Sequence, residues 1–414
     1  MTPFPAVSTA PVTGVGPRAA RALTAEFARH NAATTALVIG ADHASTVVAA
    51  AIEALLPGDT LTLVAGERST AELLRDHITG LGSWIADRVR IVDSLGEADP
   101  ADVVILGEPL TGTAEEARAL LEGLSKYLAE GAVVAVATPA VPGRTGGAAA
   151  ELFRQSALYG VGTDLVTRNQ PPLRVHKLRF SQADTAVAAT LAPAYRPSSV
   201  PVTRGMHIDS NGVAAAGIAL GLAGLARTLR PKSKLWLLPA LAAAPVAAFF
   251  RDPERDVPTE ANAVVAASDG RVLSVERLTD ERLGAGEFLR VAVFLSVLDV
   301  HVNRVPVAGR VTDYFVIDGG YANAMTAAAE HNVAAYTVLD TDHGTVVVAQ
   351  RTGLIARRIV QRTPVGTLVA RGERMGLIRF GSRTDVYLPA DRAEAVVAVG
   401  DKVIGASSVI ARWK

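Results

Sequence analysis

The chain has 414 residues, 49% of them apolar and 20% charged, with 41 basic and 41 acidic side chains. This is the composition of a folded chain about two to three domains long, not of a disordered one. A formal net charge of zero gives no global case for nucleic acid, and the absence of cysteine excludes disulfides, thiolate nucleophiles and thiolate metal sites. No metal site and no nucleic-acid partner are expected. The N-terminus lacks an apolar stretch behind a basic start, which predicts no secretory signal. After a Pro-rich beginning, the pattern predicts a helix over 17–30. Strands follow at 36–40, 60–64, 88–92, 102–106 and 132–137, with helices at 44–56, 70–81 and 114–129 between them. Continuous apolar strands alternating with helices predict a parallel, Rossmann-like α/β sheet covered on both faces.

Residues 1–200 resemble the core of class I S-adenosylmethionine-dependent methyltransferases. The resemblance makes Leu37-Val38-Ile39-Gly40-Ala41-Asp42-His43-Ala44 the cofactor turn and gives Glu67 the ribose hydroxyls, for which a carboxylate is a suitable acceptor. Only Gly40 remains in that turn. Asp42, His43 and Ala44 carry Cβ atoms where backbone would have to approach a ligand. The region therefore reads as a degenerate methyltransferase-like domain kept for docking or stability, with S-adenosylmethionine binding as the alternative. Asp42 and His43 read as turn and helix-start residues. Residues 141–204 read as loose, with 193–205 as the linker onward.

Two uncharged apolar segments, 213–226 and 235–250, enclose the basic run Arg227-Thr228-Leu229-Arg230-Pro231-Lys232-Ser233-Lys234. Each is shorter than the roughly 20 residues that span a bilayer. The expectation for 206–250 is a short helical hairpin that dips into or barely crosses the membrane, its basic loop meeting anionic headgroups and Trp236 at an interface. A pair of buried core helices is the alternative.

From 251 the texture becomes β. Short Val-rich runs at 262–267, 271–276, 288–295, 309–316, 345–349 and 354–359 are separated by Gly and Asp. Two more, 375–378 and 385–389, flank Arg379-Phe380-Gly381-Ser382-Arg383. Residues 399–411 resemble a barrel-sandwich fold of the lipoyl type.

Four motifs occur in order: Phe249-Phe250-Arg251-Asp252-Pro253-Glu254-Arg255, then Ala267-Ser268-Asp269-Gly270-Arg271-Val272. Next come Phe294-Leu295-Ser296-Val297-Leu298-Asp299-Val300-His301-Val302-Asn303-Arg304-Val305-Pro306, and Glu373-Arg374-Met375-Gly376-Leu377-Ile378-Arg379-Phe380-Gly381-Ser382. Together they resemble the phosphatidylserine decarboxylase family, in its short, hairpin-anchored form, over residues 206–414. The resemblance implies a decarboxylase domain at 251–414 that cuts itself between Gly381 and Ser382. Ser382 attacks the Gly381 carbonyl and becomes a pyruvoyl group. His301 is the candidate base, and Asp269 would orient and electrostatically support it. The pyruvoyl carbonyl would condense with the amino group of phosphatidylserine, take up the electron pair left as CO2 departs, and release phosphatidylethanolamine.

The resemblance also implies that fragment 382–414 stays bound to fragment 1–381, at the cell membrane as a peripheral or hairpin-anchored protein with the catalytic domain on the cytoplasmic side. A homo-oligomer is allowed. The longer family form has a second histidine where this chain has Arg304. Arg251, Arg255, Arg379 and Arg383 are candidates for a lipid phosphate without an assigned role. Taken alone, Asp269-Gly270 is also a hairpin-turn signal, His301 a structural histidine, and Asn303 and Arg304 surface residues. Two other functions stay open: a methyltransferase in residues 1–200, and a non-catalytic membrane-associated module.

Overall fold

The computed structural model describes residues 14–140, 147–194, 200–284, 286–354, 358–378 and 382–414. The chain divides into two compact units, Met1–Pro197 with Gly366–Leu368, and Ser198–Val365 with Val369–Lys414.

The first unit is built on strands β1 (Thr35–Ile39), β2 (Thr60–Val64), β3 (Val89–Val92), β4 (Ala101–Leu106), β5 (Leu128–Pro139), β6 (Gly160–Val166) and β7 (Leu173–Leu178). They lie in the order β3-β2-β1-β4-β5-β7-β6. The first five are parallel, in keeping with their largely apolar central residues. The antiparallel strand β7, which pairs with both β5 and β6, departs from the expected sheet. Residues 148–178 were expected to be loose but form the helix Ala148–Tyr159 and these last two strands. Polar residues hide the pattern. In β7, His176 and Lys177 are buried, and the Lys177 ammonium is 3.4 Å from both Glu26 and Asp164. The expected 17–30 helix breaks into Pro17–Leu23 and Ala25–Ala28. Thr24, at the break, donates its hydroxyl to Ala20 O at 3.0 Å, a local bond that competes with helix continuation.

The second unit begins with a small antiparallel sheet of Val200–Thr203, Met206–Ile208 and Arg251–Pro253, so part of the expected linker is strand. Two helices, Ser210–Leu229 and Leu237–Phe249, run between the last two of these strands. The pairing of Ile208 with Arg251 therefore closes the foot of the hairpin. Asp209 caps the first helix, accepting from Asn211 N at 2.9 Å, and is held by Arg362. This helix has 20 residues, longer than the expected 213–226. By length and composition it could cross a bilayer. Ile218, Leu220, Leu222, Leu225, Leu238 and Leu241 are all exposed. The Arg227 guanidinium lies 4.9 Å from the Trp236 ring centroid.

The body of this unit is a large antiparallel sheet. Its strands Gly309–Ile317, Ala334–Thr341, Gly344–Arg351, Ser382–Pro389, Glu287–Leu295, Gly270–Thr279 and Lys402–Val403 lie side by side in that order. Val291, Val293, Val348, Val386 and Leu388 point from its central strands into one apolar core with Val264 and Ile410. Two three-stranded sheets accompany it: Ala263–Val265 with Val409–Trp413 and Ala393–Ala395, and Val302–Arg304 with Arg374–Ile378 and Ile359–Gln361. The strand Ala334–Thr341 was not anticipated. The expected 354–359 strand falls partly outside the described residues.

Candidate active site

Ser382 opens a central strand. It is paired opposite Leu295 on one side, while Thr384 is opposite Gln350 on the other. Alternation places Ser382, Thr384 and Val386 on one face and Arg383, Asp385 and Tyr387 on the reverse. On the reverse face Asp385 accepts from Arg351 Nε at 2.7 Å and from Arg383 Nε at 2.6 Å. Arg351, fully buried, also donates to the Tyr336 and Tyr387 hydroxyls at 3.0 and 3.1 Å. Burial pushes Tyr387 up to about 12. Burial also acts to raise Glu330, but Arg383 and Arg290 outweigh it and hold this carboxyl at about 2. On the site face, the Ser268 and Thr384 hydroxyls are 2.5 Å apart. The strand is thus held on both sides, while the buried Ser382 Oγ has no hydrogen-bond partner among the described residues. Arg379, Phe380 and Gly381, including the glycine of the expected cut, lie outside the described residues.

His301 directly precedes the strand Val302–Arg304, and its carbonyl accepts from Ile378 N at 3.3 Å. The site histidine thus sits beside the last described residue before the expected cut. His301 Nδ1 is 2.9 Å from Asp299 O. A carbonyl only accepts, so Nδ1 carries the proton, and in the neutral ring Nε2 keeps its lone pair. Nε2 is buried and has no partner among the described residues. Burial pushes His301 down to about 4, against the opposing pull of the Asp299 carbonyl and carboxylate. The ring is therefore neutral at pH 7, in the state a base requires. The Phe249 ring, at the end of the second apolar helix, is 4.2 Å away.

Asp269 takes a different place from the one expected. Its carboxylate accepts from Arg255 at 2.7 and 2.9 Å and from Gly405 N at 2.8 Å. The orienting bond to His301 comes from Asp299 O instead, leaving Asp269 an electrostatic influence that raises the His301 pKa. Asp269-Gly270 does not link two paired strands as a hairpin turn would. Gly270 has φ +147°, and a Cβ there would lie 2.0 Å from Phe294 O. The glycine is needed for close approach to the strand leading to His301.

Arg304 is buried and ion-paired to Asp252 at 2.6 Å. Burial lowers it only to about 10, so it stays protonated at neutral pH and does not act as a base there. Asn303 is also buried, contrary to the surface expectation. Its Oδ1 accepts from Gln350 Nε2 at 2.7 Å. Gln350 belongs to no motif, and 47 residues separate the pair, so sequence spacing carried no signal for it. Arg251 donates to Ala248 O and Leu298 O, whereas Arg255 is committed to Asp269. No group of three metal-ligating side chains occurs among the described residues.

In the first unit, Gly40 has φ +78°. Asp42 accepts from Ala44 N at 2.8 Å and lies 2.9 Å from His43 Nδ1, so it acts as a turn residue. Glu67 is exposed, just ahead of the helix Arg68–Gly80.

The second unit is a β-rich fold with a buried serine, a neutral buried histidine and an apolar hairpin whose end touches that histidine. The phosphatidylserine decarboxylase family pattern matches residues 243–411. The phosphatidylserine decarboxylase proenzyme of Symbiobacterium thermophilum is 49% identical over 166 residues, covering 40% of this chain and 77% of that protein. That of Nitrosomonas eutropha is 42% identical over 183 residues, covering 44% and 84%. The chain belongs to the phosphatidylserine decarboxylase family. Among solved structures, precorrin-6y C5,15-methyltransferase from Geobacter metallireducens overlaps 42% of this chain and 94% of its own, at 18% identity and a TM-score of 0.31.

Proposed function

We propose that this chain is a self-processing phosphatidylserine decarboxylase whose working group is made from Ser382. The observation that carries the reading is the pair of buried, unmatched atoms, Ser382 Oγ and His301 Nε2. Buried polar atoms nearly always have partners, so each exception calls for an explanation, and a catalytic role is one. His301 Nε2 takes the Ser382 hydroxyl proton as Oγ adds to the Gly381 carbonyl carbon. The Gly381–Ser382 C–N bond breaks to leave an ester. Loss of the Ser382 Cα proton then expels the Gly381 carboxylate and leaves a dehydroalanine, which hydrolyses to the pyruvoyl end with release of ammonia. Asp269 supports the imidazolium that forms.

Position 382 fits the product group: it is buried, at a strand end, with its oxygen unmatched by protein. A pyruvoyl group supplies a carbonyl that takes up the electron pair left as CO2 departs. His301 is then placed to hold or return a proton, and burial keeps water from competing. The ion pairs of Asp385 keep fragment 382–414 in its sheet after the cut. The apolar hairpin is the lipid-facing element, with the catalytic unit on the cytoplasmic side. Residues 1–200 serve docking or stability.

Denaturing electrophoresis and intact-mass measurement test the reading. Two fragments, 1–381 and 382–414, the second beginning with a pyruvoyl group, should accompany conversion of phosphatidylserine to phosphatidylethanolamine. An active preparation consisting of one uncut chain would overturn it.

A further inference from the structure

Self-cleavage leaves one buried pair of side chains unused. Gln350 donates to Asn303, and both side chains are fully buried. Asn303 Nδ2 and Gln350 Oε1 are without partners among the described residues. Turning both amides over changes nothing in kind: one N–H donor group and one carbonyl acceptor remain unmatched. The pair bridges the two sides of the site. Asn303 is two residues beyond His301. Gln350 is opposite Thr384, so it shares a sheet face with Thr384 and Ser382. Four unmatched buried atoms therefore belong to neighbouring elements: His301 Nε2, Ser382 Oγ, Asn303 Nδ2 and Gln350 Oε1.

We propose that Asn303 and Gln350 bind the α-amino-carboxylate of the serine headgroup, the donor meeting the carboxylate and the acceptor meeting the ammonium. This rests on the decarboxylase reading above. A donor and an acceptor side by side complement a zwitterion whose two charged groups share one carbon. The ethanolamine product offers only the ammonium.

Neutral amides suit the reaction. The carboxylate charge is what decarboxylation discharges. A guanidinium on it would stabilise substrate more than transition state and would raise the barrier. The buried arginines described in this unit are committed elsewhere: Arg304 to Asp252, Arg351 and Arg383 to Asp385, and Arg290 to Glu276 and Glu330. Arg255 is paired with Asp269. An amide donor holds the carboxylate in place without that penalty.

Full-length Asn303→Ala and Gln350→Leu test the proposal, with intact mass reporting self-cleavage and mixed micelles of phosphatidylserine reporting turnover. Both variants should cut themselves. KM for phosphatidylserine should rise about tenfold or more, the effect of losing a hydrogen bond to a charged group, with a smaller change in kcat. Inhibition by phosphatidylethanolamine should change less in Asn303→Ala, because the product has no carboxylate. A cut variant with unchanged KM overturns the proposal. So does a folded variant that stays uncut, since it assigns the pair to self-cleavage. The wild-type protein gives a measurement independent of any variant: soluble glycerophosphoserine should inhibit at lower concentration than glycerophosphoethanolamine, and equal inhibition overturns the proposal. Failure of the decarboxylase reading itself would show as wild-type protein that neither cuts itself nor releases CO2.

Discussion

Phe249 and His301 are in ring contact, their centroids 4.2 Å apart and their planes at 39°. One residue ends the apolar hairpin and the other is the proposed base, so the hairpin forms part of the wall that keeps the imidazole dry. Burial is the leading cause of the depressed His301 pKa. Self-cleavage should therefore stay level from pH 7 downward and fall only as pH approaches about 4, where Nε2 becomes protonated. Phe249→Ala admits water and should move this acid limb upward toward the ordinary histidine value, at a cost of about 3 kcal/mol in stability. Rates of fragment appearance against pH check it. An unmoved limb would show that Phe249 does not shield the base.

The same group makes the fold acid-sensitive. His301 is depressed to about 4 in the folded chain, against 6.5 when unfolded. Between those values the unfolded chain binds more protons, so stability falls as pH falls. The contribution is complete above 6.5 and lost on passing through about 4. Thermal unfolding of His301→Gln should show a shallower loss over this window than the parent. Equal slopes would assign the acid sensitivity to other groups.

Ser382→Ala should give one uncut chain and no decarboxylation. Its stability should be unchanged or higher by about 1 kcal/mol, because a buried hydroxyl without a partner costs desolvation and returns no bond. Intact mass and thermal melting together check this. A large loss of stability would mean that the hydroxyl is bonded in the folded chain.

The residues of the proposed site stand in local motifs that the sequence displays. His301 lies in a continuous run with Asp299, and Ser382 follows Gly381 directly. The parallel sheet was legible where strands are uninterrupted apolar runs, as in 36–39. The strand pattern was hidden in Leu173–Leu178, where buried Lys177 satisfies its charge with Glu26 and Asp164. Pairings across long stretches left no trace in spacing. Asn303 read as a surface residue because its partner is Gln350, and Asp269 read as the orienting acid because nothing in the sequence announced the Asp299 carbonyl or the claim of Arg255. The first apolar helix was read short because Ser210, Asn211 and Arg227 are polar, yet the helix runs on through them.

That helix makes a further prediction. Leu222 and Leu225 are exposed, and no described protein surface covers them to the extent that burial would require. Leu222→Asp with Leu225→Asp should reduce flotation of the processed protein with anionic vesicles several-fold while fragments still form in detergent. A charged side chain resists the hydrocarbon region at a cost of about 2.5–3.5 kcal/mol each. Undiminished flotation would place lipid contact elsewhere on the chain.

The cut proposed at Ser382 separates Asp385 covalently from Arg351, and the structure shows what then holds the small fragment. Both side chains are fully buried, with Arg351 Nε 2.7 Å from Asp385 Oδ2. Arg383, on the same fragment as Asp385, reaches Glu330 on the larger one at 2.7 Å. Removing one partner of a buried pair leaves the other charged and unmatched, which costs about 3–5 kcal/mol. In Asp385→Ala, Arg351 keeps its bonds to the Glu330 carbonyl and the two tyrosine hydroxyls and a 3.6 Å ion pair with the Glu330 carboxylate, while Arg383 keeps Glu330. Glu330 still offsets part of this charge, so the uncut Asp385→Ala chain should be less stable by an amount below the roughly 3–5 kcal/mol of a fully unmatched partner. After cutting, the penalty acts on an association between two fragments, so fragment 382–414 should be lost on dilution or mild urea where the parent retains it. Native mass spectrometry checks both forms, with Ser382→Ala combined with Asp385→Ala isolating the effect on the uncut chain. Retention of the fragment equal to the parent would mean that the sheet pairing of Ser382–Pro389 with Glu287–Leu295 and Gly344–Arg351 holds it without the ion pairs.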